Sequence, residues 1–190
     1  MDIDKLRQDI EFSTRLGGHE FVFRSTWGLF SPREVDEGSR LLLRHIEVEA
    51  DANCLDLGCG YGPIGLALAR AAPRGRTTLV DKDFVAVEYA RKNAALNGLR
   101  NVHVQLSNGL EAVVQTDFDL IAANLPAKTG KELLYLLLTD ARAHLAEGGR
   151  VYVVTISGLR KFIARAMEEV FGNYEKVKQG RVYTVACARL

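Results

Sequence analysis

Asn53-Cys54-Leu55-Asp56-Leu57-Gly58-Cys59-Gly60-Tyr61-Gly62-Pro63-Ile64-Gly65 is the stretch that decides the fold. Its first half is a short apolar run of the kind that forms a buried strand, and it passes without a break into glycines at 58, 60 and 62. Glycine tolerates left-handed backbone and lets a ligand approach the main chain, and Pro63 suits the first turn of a helix. Strand, glycine turn and helix in that order make a ligand-binding βα unit. Gly60-x-Gly62-x-x-Gly65 also satisfies the GxGxxG of nicotinamide-binding proteins, and by itself it leaves that reading open. Asp56 argues against it. A carboxylate two residues before the first glycine, at a strand end where it can face the ligand, repels a pyrophosphate and suits a cofactor with an ammonium group and no phosphate.

Outward from this stretch, short apolar runs alternate with longer helical patterns. Strands are expected at 53–57, 76–80, 101–106, 118–123, 150–156, 173–178 and 181–188, and helices at about 63–72, 83–97, 130–145 and 159–170. Such alternation builds βαβ units, and hence a mostly parallel sheet with helices on both faces. The last two strands, joined through Gln179-Gly180, are too close for a crossover helix and must form an antiparallel hairpin. Before residue 53 the pattern changes. A short amphipathic helix is expected at 3–10 (Ile3, Leu6, Ile10), a strand at Phe21-Val22-Phe23, a loop at 27–32 and a helix at about 35–48. The expected organisation is one domain over 1–190, with N-terminal cap elements over 1–50 and the α/β core over 51–190.

In an open α/β sheet, ligands bind beyond the carboxyl ends of the strands. Asp81 ends the second core strand, where it can accept hydrogen bonds from two ribose hydroxyls. Asn108 in Ser107-Asn108-Gly109-Leu110 follows the third, where its side-chain oxygen can accept from an adenine amino group. Each alone also fits a helix cap or a turn former. Together with Asp56 they converge on one crevice, which assigns Asp56, Gly58, Cys59, Gly60, Asp81, Lys82, Asn108, Gly109 and Asn124 as candidate cofactor-binding residues.

Composition narrows the class. The 25 Lys and Arg nearly cancel the 24 Asp and Glu, so only a local basic patch can bind nucleic acid. Three cysteines (Cys54, Cys59, Cys187) with no CxxC spacing do not make a secreted disulfide framework, and Cys54 and Cys59 are read as packing residues. His19, His45, His103 and His144 are scattered, so no metal site is expected. The first ten residues lack the apolar core of a signal peptide, and no run reaches about 18 apolar residues, the length of a spanning helix. A soluble, cytoplasmic protein is the expectation.

Leu55-Asp56-Leu57-Gly58-Cys59-Gly60-Tyr61-Gly62-Pro63-Ile64-Gly65 with Val80-Asp81-Lys82-Asp83 resembles the small-domain class I methyltransferases. Within these the chain is similar to the small-subunit ribosomal RNA guanine-N2 methyltransferases and their compact archaeal relatives. Gly28-Leu29-Phe30-Ser31, Asp36-x-Gly38-Ser39, Asn93-Ala94-Ala95-Leu96-Asn97-Gly98 and Gly130-Lys131-Glu132 also match, so the resemblance covers about residues 20–190. It implies a Rossmann-like α/β fold with a seven-stranded sheet of order 3-2-1-4-5-7-6, strand 7 antiparallel, and S-adenosylmethionine (SAM) as cofactor. The two-domain bacterial members carry a further N-terminal module that has no counterpart here.

At the end of the fourth core strand stands Asn124-Leu125-Pro126-Ala127, where the resembled family has Asn-Pro-Pro and then an aromatic or aliphatic residue. The family's motif implies that the Asn124 side-chain oxygen and the Leu125 carbonyl each accept one hydrogen of an exocyclic amine, turning its lone pair toward the sulfonium methyl. Orientation and electrostatics of this kind are typically worth about 100-fold in rate per group. Leu125 keeps the main-chain carbonyl, and Pro126 disfavours helical backbone at Leu125. Ala127 offers no ring for stacking on a base. The alternative is a plain strand-to-loop turn in a protein that has lost base methylation. The candidate catalytic residues are thus Asn124, Leu125 and Pro126.

For the substrate, Trp27 and Phe30 are either core anchors of the cap or a stacking platform that replaces the ring missing at Ala127. Arg33, Lys128 and Lys131, with Arg160 and Lys161, fall at the expected active-site edge, where they either meet phosphates or are ordinary surface cations. The reading that results is methyl transfer to an exocyclic base amine in RNA, guanine N2 of ribosomal RNA, with ribosomal RNA or the ribosomal subunit as partner. Its rivals are a methyltransferase for a small molecule or protein amide, and a SAM-binding module without transfer activity.

Overall fold

The computed structural model describes residues 8–190. Counting along the chain, β3 (Cys54–Leu57), β4 (Thr77–Asp81), β5 (Val102–Leu106), β6 (Phe118–Asn124), β7 (Leu145–Ile156), β8 (Glu175–Gln179) and β9 (Tyr183–Arg189) form one sheet of order β5-β4-β3-β6-β7-β9-β8. Numbered from β3, that is 3-2-1-4-5-7-6. Strand β9 runs antiparallel to both neighbours, as the short connection at Gly180 requires. Every residue of β3 is buried, which is why the central strand reads as an apolar run with no alternation.

Helices cover both faces. On one, α1 (Glu37–Leu43), α2 (Pro63–Ala71) and α3 (Phe84–Leu96) bury Leu42, Ile64, Leu68, Val87 and Ala90. On the other, α4 (Lys131–His144) and α5 (Arg160–Phe171) bury Leu134, Leu138, Ile163 and Met167 against Leu55, Leu57 and Val153. The expected helix at 35–48 is confined to α1: Ile46 and Val48 leave the helix and pack against the Leu42 cluster instead.

The N-terminal elements differ most from expectation. Ile10–Leu16 is a strand, β1, paired antiparallel with β2 (His19–Ser25) through a Gly17-Gly18 turn with φ of 55° and 86°. A two-residue turn with both φ positive is the connection whose twist matches a hairpin. The helix expected at 3–10 is therefore corrected at its carboxyl end, where Ile10 opens a strand; Ile3 and Leu6 lie outside the described residues. Phe21 and Phe23 of β2 are buried on α2 and α3.

The free edge of β2 is closed by two asparagines one turn apart, Asn93 in the last turn of α3 and Asn97 at its C-cap. Asn97 Oδ1 accepts from Val22 N (3.0 Å) and its Nδ2 donates to Val22 O (2.8 Å). Asn93 repeats this with Arg24 N (2.7 Å) and Arg24 O (2.8 Å). Each amide imitates a peptide group of a neighbouring strand, satisfying an edge that would otherwise stay unpaired. This gives the Asn93-to-Gly98 segment a physical role.

Gly65 fixes the distance between α2 and β4, since a Cβ there would lie 2.7 and 2.8 Å from the Leu79 methyl carbons. Gly65→Ala is expected to lower stability by about 1–3 kcal/mol, the usual cost of overpacking a core. Thermal denaturation checks it: a melting temperature equal to the parent's would show that the contact is slack.

Candidate active site

The carboxyl ends of β3, β4, β5 and β6 lie side by side, with Leu57 registered against Val80 and Ala123, and Asp81 against Leu106. The glycine turn sits in the middle of this edge. Gly58, Gly60 and Gly62 have φ of 75°, 55° and 99°, which side chains other than glycine rarely adopt. A Cβ on Gly58 or Gly60 would meet nothing within 4 Å, so both face the open crevice.

Most N–H groups of the turn are held by acceptors within the fold. Gly58 N and Cys59 N donate to Val80 O at 2.9 Å each. Gly60 N donates to Asp81 Oδ2 at 2.8 Å, and Asp81 Oδ1 accepts from Asp83 N at 3.0 Å. A carboxylate has about four acceptor sites, so each Asp81 oxygen keeps one for a hydroxyl. Gly65 N donates to Asp56 Oδ2 at 2.6 Å.

Asp56 is placed differently from the ligand-facing position that the strand end suggested. Its side chain is completely buried between β3 and α2, and Oδ1 has no hydrogen-bond partner. Burial pushes its carboxyl up to about 7; the Asp81 charge adds to this and the Gly65 hydrogen bond opposes it. Cys59 contributes backbone to the turn. Its thiol is buried among apolar neighbours and burial raises its pKa well above the usual thiol value, so it is no nucleophile.

Lys82, Asn108 and Gly109 follow β4 and β5 at the same edge, Lys82 and Asn108 exposed and Gly109 left-handed (φ 59°). Two apolar neighbours escaped the sequence reading. Phe84 opens α3 at 68% exposure and Leu106 ends β5 at 52%, an arrangement that suits a flat heterocycle. Their signal was a large apolar side chain at a strand end or at the start of the helix that follows one.

Asn124 ends β6. Its Nδ2 donates to Asp36 Oδ2 and to Ser39 Oγ, both at 2.9 Å, so a pair from α1 reaches the candidate catalytic turn. Leu125 is buried, with its N–H on Val154 O at 3.0 Å, while Pro126 and Ala127 are exposed. Asp36 and Ser39 belong to the Asp36-x-Gly38-Ser39 segment, to which sequence reasoning gave no role.

The N-terminal loop joins the same edge through Tyr61, whose hydroxyl lies 3.1 and 3.0 Å from the carbonyls of Ser31 and Glu34. Its rings are not core anchors: Trp27 is 44% and Phe30 68% exposed, and it is Leu29 that is buried. The Arg33 guanidinium stands 4.6 Å above the Trp27 ring. Lys128 is exposed, whereas Lys131 leans over the Phe162 ring at 5.7 Å. Among the described residues no group of His, Cys, Asp and Glu is arranged for a metal, and no helix is long and apolar enough to cross a membrane. A groove of about 440 Å³ at the opposite edge is lined by Glu47, Glu49, Asp51, Asp119 and Glu147, a setting that repels anions.

Because Asp56 has a raised pKa in the fold, its protonated form is the one the fold favours. Its contribution to stability is fully present below the unfolded value of 3.8 and is lost as pH rises through about 7. Denaturant titrations of the ligand-free protein between pH 5 and 8 are expected to show stability falling across this window, with a shallower fall in Asp56→Asn. Identical slopes in the two proteins would contradict the assignment.

The family model for the methyltransferase small domain matches residues 20–187. The uncharacterized protein YbxB of Bacillus subtilis (strain 168) is 35% identical over 183 residues, covering 94% of this chain and 90% of that protein. Ribosomal RNA small subunit methyltransferase C of Pseudomonas putida (strain GB-1) is 38% identical over 162 residues, covering 83% of this chain and 48% of the relative. Among solved structures, the T. thermophilus 16S rRNA N2 G1207 methyltransferase (RsmC), in complex with AdoMet and guanosine, superposes with a TM-score of 0.86 at 29% identity. That match covers 95% of this chain and 50% of the other, so the chain spans about half the length of these ribosomal RNA methyltransferases. The open choice at GxGxxG is thereby settled: the chain belongs to the methyltransferase small-domain family of class I, SAM-dependent methyltransferases.

Proposed function

We propose that this protein transfers the methyl group of SAM to an exocyclic base amine in RNA, guanine N2 of ribosomal RNA being the favoured target. The observation that carries the reading is the placement of Asn124-Leu125-Pro126 one strand from the glycine turn, at one edge of one sheet. The relative that shares this fold at a TM-score of 0.86 is a 16S rRNA guanine methyltransferase holding guanosine.

The residues present fit the cofactor. Gly58 and Gly60 open onto space that a ligand can fill, and Asp81 retains acceptor capacity for hydroxyls. Gly109, Asn108, Lys82, Phe84 and Leu106 border the adenine side. SAM supplies an electrophilic methyl group on a sulfonium. The protein then has to orient a weak nucleophile, an amine whose lone pair is delocalised into a ring. Asn124 Oδ1 and the Leu125 carbonyl are the two acceptors that do so, and the Leu125 backbone is held by its bond to β7.

Substrate recognition is assigned to the exposed Phe30 and Trp27, which supply the π-face that Ala127 lacks. Arg33, Lys128, Lys131, Arg160 and Lys161 provide positive charge at this edge for phosphates. The Ala127 departure favours, as a second reading, a smaller substrate or a protein amide that needs no stacking.

Methyl transfer from SAM to small-subunit ribosomal RNA lacking its modifications, followed by nucleoside mass spectrometry, tests the proposal; the expected product is N2-methylguanosine. Asn124→Ala should lower the rate at least about 100-fold while SAM affinity by calorimetry stays near the parent's. Activity on a small molecule or a protein with none on RNA would overturn the RNA reading. Phe30→Ala should raise KM for RNA several-fold, since base stacking contributes about 1–3 kcal/mol, without changing melting temperature. An unchanged KM would remove Phe30 from the platform.

A further inference from the structure

We propose that Asp36, assisted by Ser39, is a positioning residue that locks the Asn124 amide with its oxygen toward the crevice. The inference rests on the reading of Asn124 as the acceptor for the reacting amine. An asparagine amide can ordinarily present either end, and a site that must accept from an N–H gains nothing from one that turns over. Here both Asn124 amide hydrogens are committed, to Asp36 Oδ2 and Ser39 Oγ at 2.9 Å each. A carboxylate has no hydrogen to give. The reversed amide would set Asn124 Oδ1 against Asp36 Oδ2, oxygen on oxygen. Only one orientation survives, and it leaves Oδ1 as the unspent end.

Asp36 is itself immobilised. Oδ2 also accepts from Gly38 N (2.9 Å) and Ser39 N (3.2 Å), and Oδ1 accepts from the Tyr183 hydroxyl (3.0 Å). Gly38 is required for this convergence, since a Cβ there would come within 2.8 Å of Asp36 Oδ2 and 2.9 Å of the Tyr183 ring. Residues from α1, β6 and β9 thus meet on one carboxylate, which makes α1 part of the reaction machinery.

Asp36 is also the N-cap of α1, and the test must separate the two roles. Asp36→Ser keeps a capping hydroxyl of similar worth but is too short to reach Asn124, whereas Asp36→Asn can keep an oxygen at the Oδ2 position. Two readouts apply. The first needs no substrate: the side-chain ¹⁵N–H₂ resonances of Asn124, identified by their disappearance in Asn124→Asp. In the parent both hydrogens should be protected from exchange, and Asp36→Ser should speed their exchange at least about 10-fold, with Asp36→Asn recovering most of the loss. Ser39→Ala, a second variant that leaves the cap intact, should have a smaller effect in the same direction.

The second readout is transfer to RNA: Asp36→Ser should lower kcat at least about 10-fold with KM for RNA and SAM affinity unchanged, and Asp36→Asn should restore it. A role confined to capping predicts equal exchange and equal kcat in the parent and Asp36→Ser, and that result would overturn the proposal. So would an Asn124 amide that exchanges freely in the parent. Protected amide hydrogens in a parent that methylates no RNA amine would support the lock and count instead against the proposed function.

Discussion

Backbone N–H groups turned inward by left-handed glycines need acceptors, and the whole carboxyl edge of the sheet is organised by how they are supplied. The Val80 carbonyl takes Gly58 and Cys59, Asp81 takes Gly60, and Asp56 takes Gly65 where the chain enters α2. Two carboxylates therefore tie one turn to β3, β4 and α2 at once. The outer surface of the turn is left as bare glycine, free of side chains. The arrangement carries a local cost. Asp56 is buried with one oxygen unpartnered and its carboxyl pushed up to about 7, a condition that destabilises the ligand-free fold at neutral pH and that a nearby positive charge relieves.

Residues 8–50 behave as part of this edge. Asn93 and Asn97 close the edge of the hairpin against α3, and Asn93 Nδ2 also reaches Tyr61 O at 2.9 Å, inside the glycine turn. The Tyr61 ring packs edge-on against Phe23 at 5.6 Å, and its hydroxyl holds the loop that displays Phe30. One side chain of the glycine turn thus sets the height of the hairpin below and the loop above. Asp36 and Ser39 complete the connection at Asn124. The chemistry proposed for β6 depends on a helix that precedes it by more than eighty residues, because an amide can be oriented only by groups that surround it in space.

The sequence determined the fold class. Alternating runs of strand and helix length imply a mostly parallel sheet, the antiparallel last pair follows from a connection too short for a crossover, and the strand order that the family resemblance implies is the one the sheet has. It also placed the glycine turn, Asp81 and Asn124 along one edge, since each stands at a strand end and parallel strands put their ends together. Interactions between distant residues were beyond it. Nothing local separates a helix at Ile10 from a strand whose partner is Phe23 and its neighbours, and the hairpin became visible only once Gly17-Gly18 was seen to close it. Exposure of Trp27 and Phe30 depends on which surfaces the loop covers, and Leu29 between them took the buried place. Asp36 is the N-cap of α1. Its second role exists only because the fold brings Asn124 and Tyr183 to the same carboxylate from 88 and 147 residues away, and hydrogen-bond geometry at that range is decided by packing.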